Sequence, residues 1–492
     1  MFLGIDIGTS GVKAVVLDES GSVVGQGTAA LTVQRPHPLW SEQDPDAWWR
    51  ATTAAVQAIE PSVRRSVRGV GLAGQMHGAT LLDEDDRPLR PAILWNDGRC
   101  FAECEALERA VPDLRAIAGN IAMPGFTAPK LLWVREHEPD IFAKIATVLL
   151  PKDYVRLLMT GDKASDLSDS AGTIWLDVAG RCWSDELLAA CGLTQAHMPR
   201  LYEGTEITGT LTAEVAELWG MPQVPVAAGG GDNAAGAVGV GVVADGDALL
   251  SLGTSGVIFV ATSAFRPNPD RAVHAFCHAL PGMWHQMSVH LSAASCIDWV
   301  ARITGAAGAA DLFARAEAAG PASGPELFLP YLSGERTPHN DAEIRGAFLR
   351  LDNDTDAGRL SQAVLEGVAF ALADGLDVLR EAGTVVERLS VIGGGARSRY
   401  WGQVIAAAME VELVYLEGGE VGPALGAARL AQLGVDGGDP AQVCVAPPVS
   451  HTISPDPALV AALAETKAAF REAYARITPR SLSPQSSPHK SL

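Results

Sequence analysis

Two stretches of this chain carry the same turn chemistry, and any fold it adopts must accommodate both. Residues 1–21, MFLGIDIGTSGVKAVVLDESG, and 247–262, DALLSLGTSGVIFVAT, each set Gly-Thr-Ser-Gly between two apolar, β-rich segments (Gly8 to Gly11 and Gly253 to Gly256). Glycines let a backbone turn tightly and approach a ligand closely, while hydroxyls and N–H groups converge on phosphate oxygens. A single copy is equally well a plain hairpin turn. A copy at the start of each half argues instead for duplicated units that clamp one polyphosphate from two sides.

At 492 residues the chain exceeds one ordinary core, and such lengths divide into about two to four domains. Two large halves fit the duplication. A formal net charge of −21 argues against the basic face that nucleic acid or an anionic membrane surface requires. The sequence has no uninterrupted apolar run of about 18 residues, the length of a membrane span, and Asp6 inside the first apolar run is unlike a signal peptide. The expected setting is cytoplasmic and the expected partner a small molecule. Seven cysteines are scattered, and Cys100 and Cys104 lack a second pair or nearby His to complete a zinc site, so all are expected to be reduced packing thiols.

The coarse pattern is that of an α/β protein. Asp44 as N-cap and Pro45 at the first helical position predict a helix over 45–59. An apolar strand then runs into Gly74, Gln75, Met76, His77 and Gly78, and a hairpin returns to Trp95, Asn96 and Asp97. Residues 100–220 read as mostly helical, an insertion decorating the sheet. In the second half, Leu360, Val364, Val368, Ala371, Val378 and Leu379 recur at helical spacing between Asp356 and Glu381. A strand over Arg388 to Ile392, the glycines Gly393 to Gly395, a helix over 398–409, a strand over 411–416 and a helix from Pro423 follow. That order predicts a parallel sheet with helices against it. The tail SLSPQSSPHKSL lacks apolar periodicity and reads as disordered.

Several residues invite chemical roles, each beside a plainer alternative. Asp6 ends a buried-looking strand next to the first turn; a nucleotide's Mg²⁺ would compensate its charge, or it is a turn residue of the Asx type. Lys13 is either a cation for the phosphates or an exposed strand lysine. In VPVAAGGGDNAAGAVGVG, three glycines precede Asp232 and Asn233. An alcohol attacking phosphorus must lose its proton, and Asp232 is placed to accept it; it is equally an N-cap. His77 is a hydrogen-bonding imidazole or a satisfied core histidine, with Met76 an apolar contact beside it. Glycine-rich strand-to-helix turns such as Gly393 to Gly395 occur in many α/β proteins. Neither a Rossmann nor a P-loop fingerprint, nor a nucleophile elbow, stands at the expected place.

Taken together, the motifs resemble the FGGY carbohydrate kinases, within the actin, sugar kinase and heat-shock chaperone superfamily. The residues that carry the resemblance are GIDIGTSGVK at the start, GQMHG at 74–78, RPAILWNDGR at 90–99, PGFTAPKLLW at 124–133, LLPKDYVRLLMTG at 149–161, GGGDNAAGA at 229–237, SLGTSG at 251–256 and GGGARS at 393–398. It covers nearly all of the chain except the last dozen residues. Gln75, Met76 and His77 stand where members acting on glycerol typically carry an Arg-Glu pair. That departure disfavours glycerol, and the resemblance of the motifs as a whole implies a ketopentose, D-xylulose, as acceptor.

The resemblance also implies a fold: two domains, each on a ribonuclease-H-like core of the actin-like ATPase kind, closing on a cleft. Residues 1–244 would form one domain and 245–478 the other, with 479–492 a disordered tail. It implies Asp232 as general base, Met76 and His77 as sugar contacts joined by Asn233 and Trp95, and Asp6 as the metal-facing carboxylate. Gly8, Thr9, Ser10 and Lys13 would meet the phosphates from one side, Gly253, Thr254 and Ser255 from the other, with Gly394 and Gly395 at the adenosine. ATP and Mg²⁺ are the implied cofactors and a homodimer is allowed. Two other functions share these motifs: a kinase for L-ribulose, L-fuculose or another sugar, and a non-catalytic sugar-sensing relative.

Overall fold

The computed structural model describes residues 1–417 and 422–477. The tail expected to be disordered, 479–492, lies outside the described residues. Two seven-stranded sheets organise the rest. In the first, Phe2–Ile7 runs antiparallel to Gly11–Leu17, which pairs with Val23–Ala30, while Gly69–Gly74 and Pro225–Ala227 extend the other side in parallel. In the second, Ala248–Leu252 runs antiparallel to Gly256–Thr262, which pairs with Trp284–His290, while Arg388–Ile392 and Glu412–Leu416 extend in parallel. Both sheets thus share the order third, second, first, fourth, fifth. This is the ribonuclease-H-like core, present twice.

Local signals account for the elements. Phe2, Leu3, Ile5 and Ile7 are fully buried, as befits a strand covered on both faces. The Asp44 side chain caps the helix Pro45–Gln57 with Pro45 in its first turn, satisfying a donor left open at a helix start. Asp356 does the same for the 25-residue helix Ala357–Glu381, which packs on the second sheet. The predicted strands and helices of residues 388–416 appear within a residue of their expected bounds.

Two expectations need correction. The helix Pro423–Asp436 does not lie against the sheet that precedes it. It crosses to the first half, where a Cβ on Gly4 or Gly71 would sit 1.9 Å from the carbonyl oxygens of Ala424 and Ala427. Only glycine admits a helix that close to a sheet. The same helix meets Asp232–Gly239, the equivalent helix of the first half, with Gly426 against the carbonyl of Ala235. The seam joining the halves is therefore made of small residues. Secondly, the hairpin expected between His77 and Trp95 survives only as isolated bridges, Ala79 to Ile93 and Leu82 to Pro88. Its longer ladders go to distant partners, Thr80–Leu82 with Thr147–Leu149 and Ala92–Ile93 with Glu42–Gln43.

All seven cysteines are free thiols, six of them buried. Among the described residues no helix is long and apolar enough to cross a membrane.

Candidate active site

The two Gly-Thr-Ser-Gly segments are tight hairpin turns at corresponding ends of the two central strands. In the first, the Gly8 N–H donates to the Gly11 carbonyl at 3.0 Å. The Thr9 hydroxyl turns back into the protein: it donates to Gln75 Oε1 at 3.0 Å and accepts from Trp95 Nε1 at 2.9 Å, while Ser10 stays exposed. Gln75 is held in turn by Gln43, whose Nε2 donates to the Thr9 carbonyl at 2.7 Å. Trp95, 45% exposed, is thus tied to the turn from outside. Its loop is braced by Arg99, which pairs with Asp97 and Glu42, both at 2.7 Å, and stacks on Trp40.

In the second turn the Gly253 N–H donates to the Ser255 carbonyl at 3.0 Å. The carbonyls of Gly253 and Thr254 accept from Ala294 and Ala293, both at 2.9 Å, docking the turn on the start of the helix Ala294–Thr304. Thr254 and Ser255 are left exposed. Gly253 and Thr254 line a cavity of about 400 Å³ together with Gly394, Gly395, Ile297, Phe313 and Trp401. The expected nucleotide elements of the second half therefore share one cavity. Within the glycine triplet the demand for glycine falls on Gly393, whose φ is +98° and whose Cβ would meet the Leu252 carbonyl oxygen at 2.7 Å, and on Gly395, whose Cβ would lie 2.8 Å from Leu252 Cγ; Gly394 faces open space.

Asp232 lies at the matching end of the first sheet. Gly230 and Gly231 pair with Ala73 and Gly74, and Gly229 takes a φ of +78° with its missing Cβ 1.8 Å from the Leu72 carbonyl oxygen. The glycines bring the chain flush against the neighbouring strand just before the carboxylate. The N-cap alternative for Asp232 is excluded: the cap position is Gly231, and Asp232 is the first residue of the helix. Its Oδ1 accepts from the N–H and Nδ2 of Asn233 at 2.7 and 3.0 Å. Burial pushes the Asp232 carboxyl up to about 6, against the pull of these two bonds.

Asp6 faces the same space. Burial, then the charge of Asp232, raises its carboxyl to about 7, while Lys13, its partner across the ladder, works in the opposite direction. Asp6 Oδ1 is buried without a hydrogen-bond partner. Two like charges with one orphaned oxygen form a donor set that a hard divalent cation would satisfy.

Met76 and His77 complete this end of the sheet. Met76 packs on Gly231, where a Cβ would lie 2.9 Å from its Cγ and Sδ. His77 sits in the left-handed region with φ +69°. Its Nδ1 donates to the Gly172 carbonyl at 2.8 Å, which leaves Nε2 as an acceptor. Burial, helped by the charges of Lys130 and Arg336, pushes the imidazole down to about 3. The ring is neutral throughout the physiological range. Lys130, in the 124–133 motif, fixes the backbone by donating to the His77 carbonyl at 2.8 Å.

One supporting group had no assigned role in the sequence. Ser168 Oγ accepts the Gly231 N–H at 3.1 Å and donates to Asp166. Asp166, Asp153 and Asp169 surround Lys152 Nζ at 2.7, 2.6 and 3.3 Å, all fully buried. The 149–161 motif thus supplies a buried ionic block behind the Asp232 backbone. The motif was visible, but its long-range pairing with Ser168 and Gly231 left no mark in sequence spacing.

Family models for the N- and C-terminal domains of the FGGY family of carbohydrate kinases match residues 1–239 and 248–434. The chain belongs to the FGGY family of carbohydrate kinases. The kinase is 56% identical over 482 residues to a xylulose kinase of Escherichia coli strain K12, covering 97% of this chain and 99% of that protein. A xylulose kinase of Klebsiella pneumoniae is 54% identical over 481 residues, with the same coverage of both chains. Among solved structures, a xyloylose kinase from Brucella ovis superposes with a TM-score of 0.94 at 52% identity over 96% of this chain and 99% of its own. A glycerol kinase from Plasmodium falciparum, with TM-score 0.87 at 18% identity over 98% of both chains, shares the fold. The protein is an ATP-dependent sugar kinase.

Proposed function

We propose that this kinase transfers the γ-phosphoryl group of ATP to the terminal hydroxyl of D-xylulose, giving D-xylulose 5-phosphate and ADP, with Asp232 as general base. The acceptor is supported by the xylulose kinases that match it end to end at 54–56% identity. The base is supported by one observation above the rest. Both hydrogen bonds from Asn233 fall on Asp232 Oδ1, so Oδ2 is left to take a proton. A carboxyl near 6 is ionised at neutral pH yet basic enough to accept the hydroxyl proton as phosphorus is attacked.

The remaining residues divide the work. Gly8, Thr9 and Ser10 on one side and Gly253, Thr254 and Ser255 on the other hold the phosphates, with Lys13 adding positive charge near Asp6. The Mg²⁺ that accompanies ATP supplies charge neutralisation at the phosphates, and Asp6 is the carboxylate that would face it. Gly394 and Gly395 border the adenosine in the 400 Å³ cavity. Met76, His77, Trp95 and Asn233 orient the sugar, His77 through its unprotonated Nε2. The working units are 1–244 and 245–478, and their approach excludes water from the transfer.

The test is ADP formation by purified protein with Mg·ATP and a panel of D-xylulose, L-ribulose, D-ribulose, L-fuculose, glycerol and no sugar. The highest kcat/KM is expected with D-xylulose. A higher value with another sugar moves the substrate assignment to that sugar and leaves Asp232 in place.

A further inference from the structure

A cavity of about 490 Å³ spans the two halves, with Leu39, Trp95, Asn96 and Met123 on one side and Arg336 and Asn340 on the other. Arg336 is a cation for which the reaction described above has no use. Its Nη1 lies 3.2 Å from His274 Nε2. The direction of that bond follows from the network behind it. Asn120 Nδ2 donates to the carbonyls of Ala118 and Ala275 at 2.9 and 3.0 Å, so its Oδ1, 2.9 Å from His274 Nδ1, must accept. His274 is then protonated on Nδ1, and its Nε2 accepts from Arg336. The guanidinium is pinned in one orientation by a chain of buried groups.

Among the described residues the guanidinium has no direct ion-pair partner, and only the charge of Glu335 reaches it through space. Neighbouring Glu335 directs Oε1 to the backbone N–H groups of Leu291 and Arg336, at 3.0 and 2.7 Å, and Oε2 toward His290 at 3.5 Å. Among the described residues no carboxylate lies within ion-pair distance of the Arg336 guanidinium, and His274 is the one side chain that it bonds. A guanidinium carries five N–H donors, and a charge withdrawn from water is costly unless those donors are met. On the facing wall Asn96 Oδ1 also lacks a hydrogen-bond partner. An apolar wall of Leu39, Trp95 and Met123 opposite a fixed donor suits the C–H face and hydroxyl edge of a polyol.

We propose that Arg336 is a sugar-binding residue contributed by the second half of the chain, whose unused N–H groups donate to the ketose oxygens that face His77 rather than Asp232. The proposal rests on the ketose kinase reading above. Because Met76, His77 and Trp95 come from the first half, a sugar held by Arg336 bridges the cleft. Acceptor binding then draws the halves together before transfer.

The test uses the full-length Arg336→Gln and Arg336→Lys variants in steady-state assays with D-xylulose and Mg·ATP, with nucleotide affinity measured separately. Losing a charged donor raises the D-xylulose KM of Arg336→Gln by about 10- to 100-fold, with nucleotide affinity within about twofold of wild type and partial recovery in Arg336→Lys. An unchanged sugar KM in a folded Arg336→Gln overturns the proposal. Equal loss of sugar and nucleotide binding in both variants also overturns it, since that marks a structural role. Inorganic sulfate that competes with D-xylulose in the wild type but not in Arg336→Gln would make this an anion site and overturn it as well. If wild type ignores D-xylulose, the substrate reading fails by itself, and the same variants are scored against whichever sugar the wild type phosphorylates.

Discussion

Gly231 donates its N–H to the hydroxyl of Ser168 at 3.1 Å, one residue before the carboxylate assigned as the base. Through Asp166 this bond anchors the Asp232 backbone to the buried Lys152 block. Ser168→Ala is expected to lower kcat by about tenfold, the scale of one buried hydrogen bond, with the D-xylulose KM within about threefold and activity returning in Ser168→Thr. Steady-state kinetics of the three proteins check it; a changed KM with intact kcat would instead put Ser168 at the sugar.

His77 should affect the sugar and not the chemistry. Its Nε2 is the acceptor left after Nδ1 bonds Gly172, so His77→Ala is expected to raise the D-xylulose KM by about tenfold or more while nucleotide affinity holds. The imidazole is pushed down to about 3 and stays neutral, so the wild-type sugar KM should show no inflection between pH 6 and 7 attributable to this ring. A histidine-like inflection that disappears in His77→Ala contradicts the assignment.

Asp6 links pH to stability. Folded Asp6 keeps its proton up to about 7, against an ordinary 3.8. Folding therefore takes up a proton between those values, and the penalty is absent below the lower value and complete above the higher. Removing the charge with Asp6→Asn is expected to stabilise the protein at pH 8 without Mg²⁺, by up to about 4 kcal/mol, and to give no gain near pH 4. Denaturant melts at the two pH values test the sign. The variant should also lose turnover if Asp6 faces the Mg²⁺ as proposed, because its orphaned oxygen would no longer carry charge for the ion.

Gly71 tests the seam between halves. A Cβ there would stand 1.9 Å from the Ala427 carbonyl oxygen, so Gly71→Ala must displace the helix Pro423–Asp436. A loss of about 2–4 kcal/mol is expected, the range of overpacked cores with backbone movement. A melting temperature equal to wild type would show that the helix is not held at this depth.

Local chemistry made much of the fold legible. Asp44 with Pro45 announces its helix because a cap is a contact within three residues, and the helix Ala357–Glu381 is announced by its apolar spacing. The two Gly-Thr-Ser-Gly turns are likewise self-contained. What escaped depends on partners far along the chain. Nothing near Pro423 indicates that its helix crosses to Gly4 and Gly71, and nothing near Thr80 indicates a ladder with Thr147–Leu149. In the site, Asp232, Met76 and His77 were named from motifs; the structure packs Met76 on Gly231, the residue before Asp232, and turns the His77 ring to Gly172. Thr9 was read as a phosphate ligand, yet its hydroxyl is already engaged by Gln75 and Trp95, which leaves only its backbone for the proposed phosphate contact. Gln43, Ser168 and Arg336 could not be singled out, because their meaning lies in bonds spanning 34, 63 and 62 residues.

The central claim is that Asp232 accepts the proton of the sugar hydroxyl, and its most direct test is turnover of D-xylulose by Asp232→Asn with Mg·ATP across pH 5 to 9. Wild type is expected to lose kcat/KM below about pH 6, where the Asp232 carboxyl protonates. The variant should be slower by about two to four orders of magnitude, lack that acid limb, and bind nucleotide normally. Turnover within a few-fold of wild type, with the acid limb retained, would contradict the account.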